Sequence, residues 1–283
     1  MVDVRKKVEE ITPEITQMRV HIHENPELSM KEYNTCALLE DYVKKNVKYD
    51  RLKRVGETGL FFELKGTKPG NGPTIVFRGD IDALPIQEDE HMSPRSKVPG
   101  VMHACGHDVH GTINVGAAKI LSEMKDQFSG SIYFFIQPAE EILQGAKLFL
   151  NDPEIDFDKI DAVAALHVSA ELDAGTIGVR YGAILASADG IRIRINGNGK
   201  GGHGAHCHTL RDPIVASAAV INALQTLVSR ETNPANAVVI SICTIHAGEA
   251  NNIVPDSVEM TGTVRTLNPA DRDRMEASVK RVA

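Results

Sequence analysis

The chain has 283 residues, 42% hydrophobic and 24% charged, enough for one large or two medium domains with buried cores. With 31 basic and 38 acidic side chains the net charge is −7, which favours solubility and gives no support for a nucleic-acid partner. No apolar run approaches the ~20 residues of a bilayer-spanning helix, the N-terminus lacks an apolar signal region, and Cys36, Cys105, Cys207 and Cys243 form no Cys-x-x-Cys pair, so a cytoplasmic protein with free thiols is expected.

Val4, Val8, Ile11, Ile15, Met18 and Ile22 recur at helical spacing. Pro13 interrupts them, so the helix is expected to restart at Thr12 as a cap. Pro26 then ends it, because the residue before a proline avoids helical geometry. His21 and His23 read as helix-end polar groups rather than ligands. A second helix is expected over about residues 31–46, and strands over Gly59–Leu64 and Thr74–Arg78, joined by the turn-rich Lys68–Pro73.

The second strand runs into Gly79-Asp-Ile-Asp-Ala-Leu-Pro85, which puts Asp80 and Asp82 at a strand's C-terminal end. That edge is where ligands bind in open α/β sheets. The plainer reading is a cap and a solvated turn. Next comes Gly100-Val-Met-His-Ala-Cys-Gly-His-Asp-Val-His110. Thiol and imidazole groups this dense suit a divalent transition metal. Cys105 and His107 are two apart, so an extended turn would aim both one way, with Gly106 allowing the bend. The bland alternative is histidines that satisfy nearby carbonyls.

Ile113 to Met124 suits a buried helix, and Ser131–Ile136 a strand covered on both faces. That strand ends in Gln137-Pro-Ala-Glu-Glu141, where one carboxylate can serve a metal while its neighbour, pointing differently, handles a proton. An acidic first turn of a helix is the alternative. Gly145–Leu150 reads as helix, and Ala162–His167 as a strand with His167 at its tip. Asp80 and Asp82, Cys105 and His107, Glu140 and Glu141, and His167 are thus carried towards one rim, and this convergence outweighs any single member.

The pattern changes after about Ala186. Gly190–Asn196 alternates strictly, as in a half-exposed strand. Gly197–Gly204 lacks the Walker spacing of a phosphate loop. A helix over Ile214–Val228, strands over Val238–Ile245 and Ser257–Arg265, and a helix from Asp271 complete a ferredoxin-like unit short of its last strand. The expected domains are 1–186, a metal-binding α/β domain, and 187–283, an incomplete second domain.

Phe77-Arg-Gly-Asp-Ile-Asp-Ala-Leu-Pro85, His103-Ala-Cys-Gly-His-Asp-Val-His110, Gln137-Pro-Ala-Glu-Glu141, Ala165-Leu-His-Val168 and Gly201-Gly-His-Gly-Ala205 resemble the M20 metallopeptidase family. The closest match is its amidohydrolase branch, which includes N-acyl-amino-acid amidohydrolases and hippurate hydrolases. His23–Leu28 and Gly262–Thr266 also look like that branch. The resemblance implies a mixed-sheet, zinc-exopeptidase-like α/β catalytic domain with an inserted ferredoxin-like lid that makes a homodimer. It implies two divalent ions, Mn or Zn, on Cys105, His107, Glu141 and His167, with Glu140 as general base. Asp80 and Asp82 support the site, His203 reaches the reacting carbonyl, and Asn252 and Arg265 contact substrate. The implied substrate is an N-acyl amino acid, cleaved at its amide.

Two departures from the family pattern stand out. Cys207 replaces a proline after His203. The return segment that follows the lid and carries a last His ligand is absent, so the expectation is a truncated chain whose catalytic sheet misses strands. A catalytically silent binder of ligand or partner is the rival reading. A thiol-nucleophile hydrolase using Cys105 and His107 fits poorly, since their spacing leaves no room for an orienting group.

Overall fold

Asp3 opens the part of the chain described by this computed structural model, residues 3–283, and its carboxylate accepts from the Lys6 amide to cap α1 (Val4–Glu24). α1 runs unbroken through Pro13, against the restart expected at Thr12. Pro13 and Glu9 are both exposed, so water can serve the Glu9 carbonyl that proline leaves without its usual donor. The chain folds as two units, one ending at Glu171 and one spanning Leu172–Ala283.

The first unit continues with α2 (Tyr33–Asn46), β1 (Arg51–Val55), β2 (Gly59–Lys65), β3 (Thr74–Asp80), α3 (His107–Ser122), β4 (Ser131–Gln137), α4 (Gly145–Leu150) and β5 (Ala162–Ala165). Its sheet is mixed, in the order β1-β2-β4-β3-β5, with β3 parallel to both β4 and β5 and the other pairs antiparallel. Period-2 side chains separate two cores. Leu60, Phe62, Leu64, Ile132, Phe134 and Ile136 face one way and pack with Leu39, Val43, Val115 and Ala118 of the helices. Phe61, Val76, Tyr133 and Phe135 face the other way and pack on Phe149 and Ile155. Phe62 and Phe134, paired across β2 and β4, stack at 4.7 Å. β5 forms an edge of the sheet and is open: Val163 is 66% exposed.

The second unit contains β6 (Asp189–Asn196), β7 (Gly202–His203), α5 (Pro213–Ser229), β8 (Val238–His246), β9 (Ile253–Val254), β10 (Ser257–Thr266) and α6 (Pro269–Val282). β6, β10 and β8 make an antiparallel sheet with β10 central. That is the β-α-β-β-α order expected of a ferredoxin-like unit. Ile193, Val258, Met260, Val264 and Ile240 meet Leu224 and Leu227 of α5 and Met275 and Val279 of α6. Arg192, Arg194 and Glu259, on the alternate positions, are exposed. β7 and β9 form a separate two-residue ladder, His203 opposite Ile253. No helix among the described residues is long and apolar enough to cross a membrane.

Candidate metal centre

The parallel register brings the ends of β3 and β4 level and that of β5 within two residues of them: Asp80 of β3 lies opposite Gln137 of β4, and Arg78 opposite Ala165 of β5. Asp80, Asp82, Glu140, Glu141 and His167 therefore leave the sheet at one rim. His167 lies two residues beyond β5 rather than at its tip. α3 packs tightly behind: a Cβ on Gly79 would sit 2.8 Å from the His110 carbonyl oxygen, so β3 needs glycine there.

Cys105 and His107 are not on an extended turn. Gly106 is left-handed (φ 79°) and caps α3, and His107 is the first helical residue. The pair converges because the chain reverses at Gly106, where a Cβ would strike Val168 at 2.2 Å. Cys105 Sγ lies 3.3 Å from His167 Nε2, and His167 Nδ1 donates to its neighbour's carbonyl, Val168 O, at 2.7 Å.

Asp82 holds His107. Its Oδ1 is 3.1 Å from His107 Nδ1, while Oδ2 accepts from Ser29 Oγ at 2.6 Å and from the Glu141 amide at 3.0 Å. Nδ1 is therefore the protonated nitrogen, and Nε2 keeps its lone pair, the arrangement of a metal-binding imidazole backed by a carboxylate. Asp80 holds His110 at 2.6 Å and is itself paired with Arg78 at 2.6 Å. His110 Nε2 accepts the Val168 amide, so both of its ring nitrogens are engaged.

His107 Nε2 lies 3.7 Å from Asp80, 4.0 Å from Glu140 and 3.8 Å from Glu141. Glu140 and Glu141 thus both turn towards His107, although adjacent residues were expected to diverge. They sit in a tight turn rather than in a helix's first turn. Three groups have ligand atoms within 4.8 Å of one another, and His107 belongs to each: with Cys105 and His167, with Asp80 and His110, and with Glu140 and Glu141.

The electrostatics fit a cation. His107 Nε2 and Glu141 Oε1 are buried and, among the described residues, lack a hydrogen-bond partner. Such atoms are costly unless something satisfies them. Burial pushes the Cys105 thiol up to about 12, and the Glu141, Glu140 and Asp80 carboxylates add to the effect. Burial also raises Glu141, with Glu140 adding and His107 opposing. Asp80 is held down at about 2 against its burial, chiefly by His110 and Arg78. Burial would lower His107, yet Asp82, Asp80 and Glu141 raise it. A thiol, four carboxylates and the open Nε2 of His107 gathered in one place fit a divalent ion. The raised Cys105 thiol gives no support for an activated thiol pair with His167, since reactive cysteines are depressed instead.

His103 stands apart from this cluster, buried beside His23 with ring centroids 6.5 Å apart, and burial pushes it down to about 4. His21 and His23 both lie in the last turn of α1 as helix-end polar groups, His21 exposed and His23 buried, and neither joins the ligand cluster. His23 is buried and bridges Asp108 and Glu88 at 2.9 Å each, and Arg19 joins Asp108 at 2.8 Å. Asp108 follows His107 directly, so this network ties the start of α3 to α1. Ser29, Arg78, Glu88 and Asp108 are supports that the sequence reading does not assign. Arg19 and His23, four apart on one helix face, were the available signal. In the second unit His203, Asn252 and Arg265 are all exposed. The His203 ring accepts from the Ala205 amide at 3.1 Å, and the Asn252 carbonyl accepts from the Gly204 amide at 2.8 Å.

A mixed sheet whose strand ends, together with the start of α3, collect thiol, imidazole and carboxylate groups around one shared histidine defines a metal-dependent hydrolase of the α/β class. The chain belongs to peptidase family M20/M25/M40, whose model matches residues 76–278. It is 39% identical over 282 residues to thermostable carboxypeptidase 2 of Saccharolobus solfataricus, covering 99% of this chain and 70% of that protein. It is 37% identical over 280 residues to the N-acyl-L-amino acid amidohydrolase of Geobacillus stearothermophilus, covering 99% of this chain and 74% of that one. The crystal structure of the Bacillus subtilis YXEP protein, described as a dinuclear metal binding peptidase from the M20 family, superposes with a TM-score of 0.78 at 34% identity, covering 97% of this chain and 69% of that one.

Proposed function

We infer that the chain is a metal-dependent amidohydrolase that cleaves the amide bond of N-acyl amino acids. The observation that carries the reading is His107: held by Asp82 through Nδ1, it turns a buried, unpartnered Nε2 towards Glu140 and Glu141. Two divalent ions on Cys105, His107, Glu141 and His167 would supply a water acidified towards neutral pH and polarise the substrate carbonyl. The thiol of Cys105 suits Zn, and the imidazole and carboxylate set also admits Mn.

Glu140 is the general base of this reading. Its side chain is 34% exposed and near the rim, so it can reach both a water and a substrate. It takes the proton of the attacking water and returns it to the leaving amine. Asp80 and Asp82 keep His110 and His107 in place. His203 serves as a donor to the developing oxyanion, and Asn252 and Arg265 as contacts for the substrate, Arg265 by pairing with its carboxylate. We assign the first unit as catalytic and the second as a lid that forms a homodimer. The exposed Val239 of edge strand β8, on the face opposite the helix-covered core, supports that role. Four free cysteines support a reducing, cytoplasmic location.

Glu140→Ala is the test. It is expected to keep its metal and lose at least ~100-fold in kcat on N-acetyl or N-benzoyl amino acids, the usual contribution of a general base. An unchanged rate removes Glu140 from the mechanism. Hydrolysis that survives chelation at full rate would instead favour a thiol nucleophile.

A further inference from the structure

The turn that carries Glu140 and Glu141 pivots on Ala139, a fully buried residue with φ of +50°. A side chain in the left-handed region is strained, and alanine has no local hydrogen bond to offset it. The conformation must therefore be imposed by neighbours. Two contacts impose it. The Ala139 carbonyl accepts from the amides of Gln144 and Gly145, both at 3.1 Å, which closes the turn on itself. The Ala139 amide donates to Glu32 Oε1 at 2.8 Å across 107 residues of sequence.

Glu32 is an unusual partner. It precedes α2, has no exposed surface, and its other oxygen, Oε2, is buried without a hydrogen-bond partner. Burial raises its carboxyl above the ordinary range, with the Ala139 amide among the groups that oppose the rise. A buried acid with one oxygen left unpartnered costs stability by itself. The turn is also held at Glu141, whose amide donates to Asp82. Glu32 therefore fixes the entry to the turn, and Asp82 fixes the segment two residues on.

We propose that Glu32 is a positioning residue, whose carboxyl oxygen holds Ala139 in its left-handed conformation and so aims Glu140 and Glu141 at His107. The role in hydrolysis rests on the amidohydrolase reading. The mechanical part, the hold on Ala139, does not.

The experiment measures hydrogen exchange of the position-139 amide in the full chain, without added metal or substrate, and then kcat. Glu32→Gln retains an acceptor oxygen and is expected to keep the amide protected. Glu32→Ala removes the acceptor, and Glu32→Asp withdraws it by one methylene while keeping a carboxyl in a chain more certain to fold. Each is expected to lose about tenfold in protection, the scale of one hydrogen bond. Ala139→Gly, which relaxes the left-handed penalty, is expected to return about fivefold or more of kcat when added to Glu32→Asp, and little when added to the wild type. Equal protection in all variants overturns the proposal. So does equal loss in Glu32→Gln and Glu32→Asp, which would show that an acceptor oxygen within reach of the amide is not what protects it, and so does an Ala139→Gly effect of the same size in both backgrounds. If the wild type fails to hydrolyse N-acyl amino acids, the amidohydrolase reading falls and exchange alone decides the hold on Ala139. If the wild type is active and exchange at position 139 ignores Glu32, the positioning role falls and the reading stands.

Discussion

The two units treat their functional candidates in opposite ways. In the first, Asp80, Asp82 and His107 are buried, and each is fixed by named partners on other elements. In the second, His203, Asn252 and Arg265 stand exposed on a ladder, a loop and a strand. The difference follows from the sheets. A mixed sheet covered on both faces concentrates strand ends in a low-dielectric rim, where each charge needs a partner. A three-stranded antiparallel sheet covered on one face leaves alternate residues in water. The first arrangement suits ions and proton transfer, which need rigid geometry. The second leaves polar groups in water, which suits the substrate contacts proposed for them.

The sharpest way to break this comparison is Asp82→Ala. It frees His107 Nδ1 and removes the acceptor for Ser29 and the Glu141 amide, so metal affinity is expected to fall roughly 10–100-fold, as when an imidazole loses its backing carboxylate. Arg265→Ala is expected to leave metal affinity at the wild-type value and raise KM instead. Equilibrium dialysis with Zn or Mn alone, beside steady-state kinetics, checks both. A shared loss of affinity would erase the distinction between the units.

A smaller effect sharpens it within the first unit, where two buried carboxylates titrate in opposite directions. Asp80 has Arg78 and His110 and is held at about 2, below its ordinary 3.8. The stability it contributes is present above the unfolded value and is lost as pH falls from about 4 towards 2. Glu32 is raised above 4.5 by burial. Its folded form binds the proton more tightly than the unfolded chain, so it costs stability as pH rises past 4.5. Glu32→Gln should lack that decline and gain on the wild type as pH rises above about 4.5. Thermal melts of both chains across this range test the sign. A wild type that gains on Glu32→Gln with rising pH would reverse it.

Much of this was legible in the sequence, for reasons that differ by residue. Asp80, Asp82, Glu140, Glu141 and His167 could be read because each follows an apolar run that ends abruptly, and parallel strands end together. The start of α3 at His107 was missed, because Gly106 in an otherwise polar stretch reads as a turn, and only its left-handed φ reveals the cap. β1 was missed because three of the five residues in Arg51–Val55 are charged, and its pairing with β2 is what makes it a strand. Pro13 misled because propensity penalises proline without regard to exposure. His23 with Asp108, and Glu32 with Ala139, join residues 85 and 107 positions apart, and no local pattern announces them.

The most direct measurement is the count of divalent ions bound per chain, by elemental analysis after dialysis, in the wild type and in His107→Ala. Since His107 belongs to every ligand group found at the rim among the described residues, about two ions are expected on the wild type and none held tightly by His107→Ala, with hydrolysis lost in step. A wild type that hydrolyses N-acyl amino acids with no bound ion, or a His107→Ala chain that keeps its full complement, would contradict it.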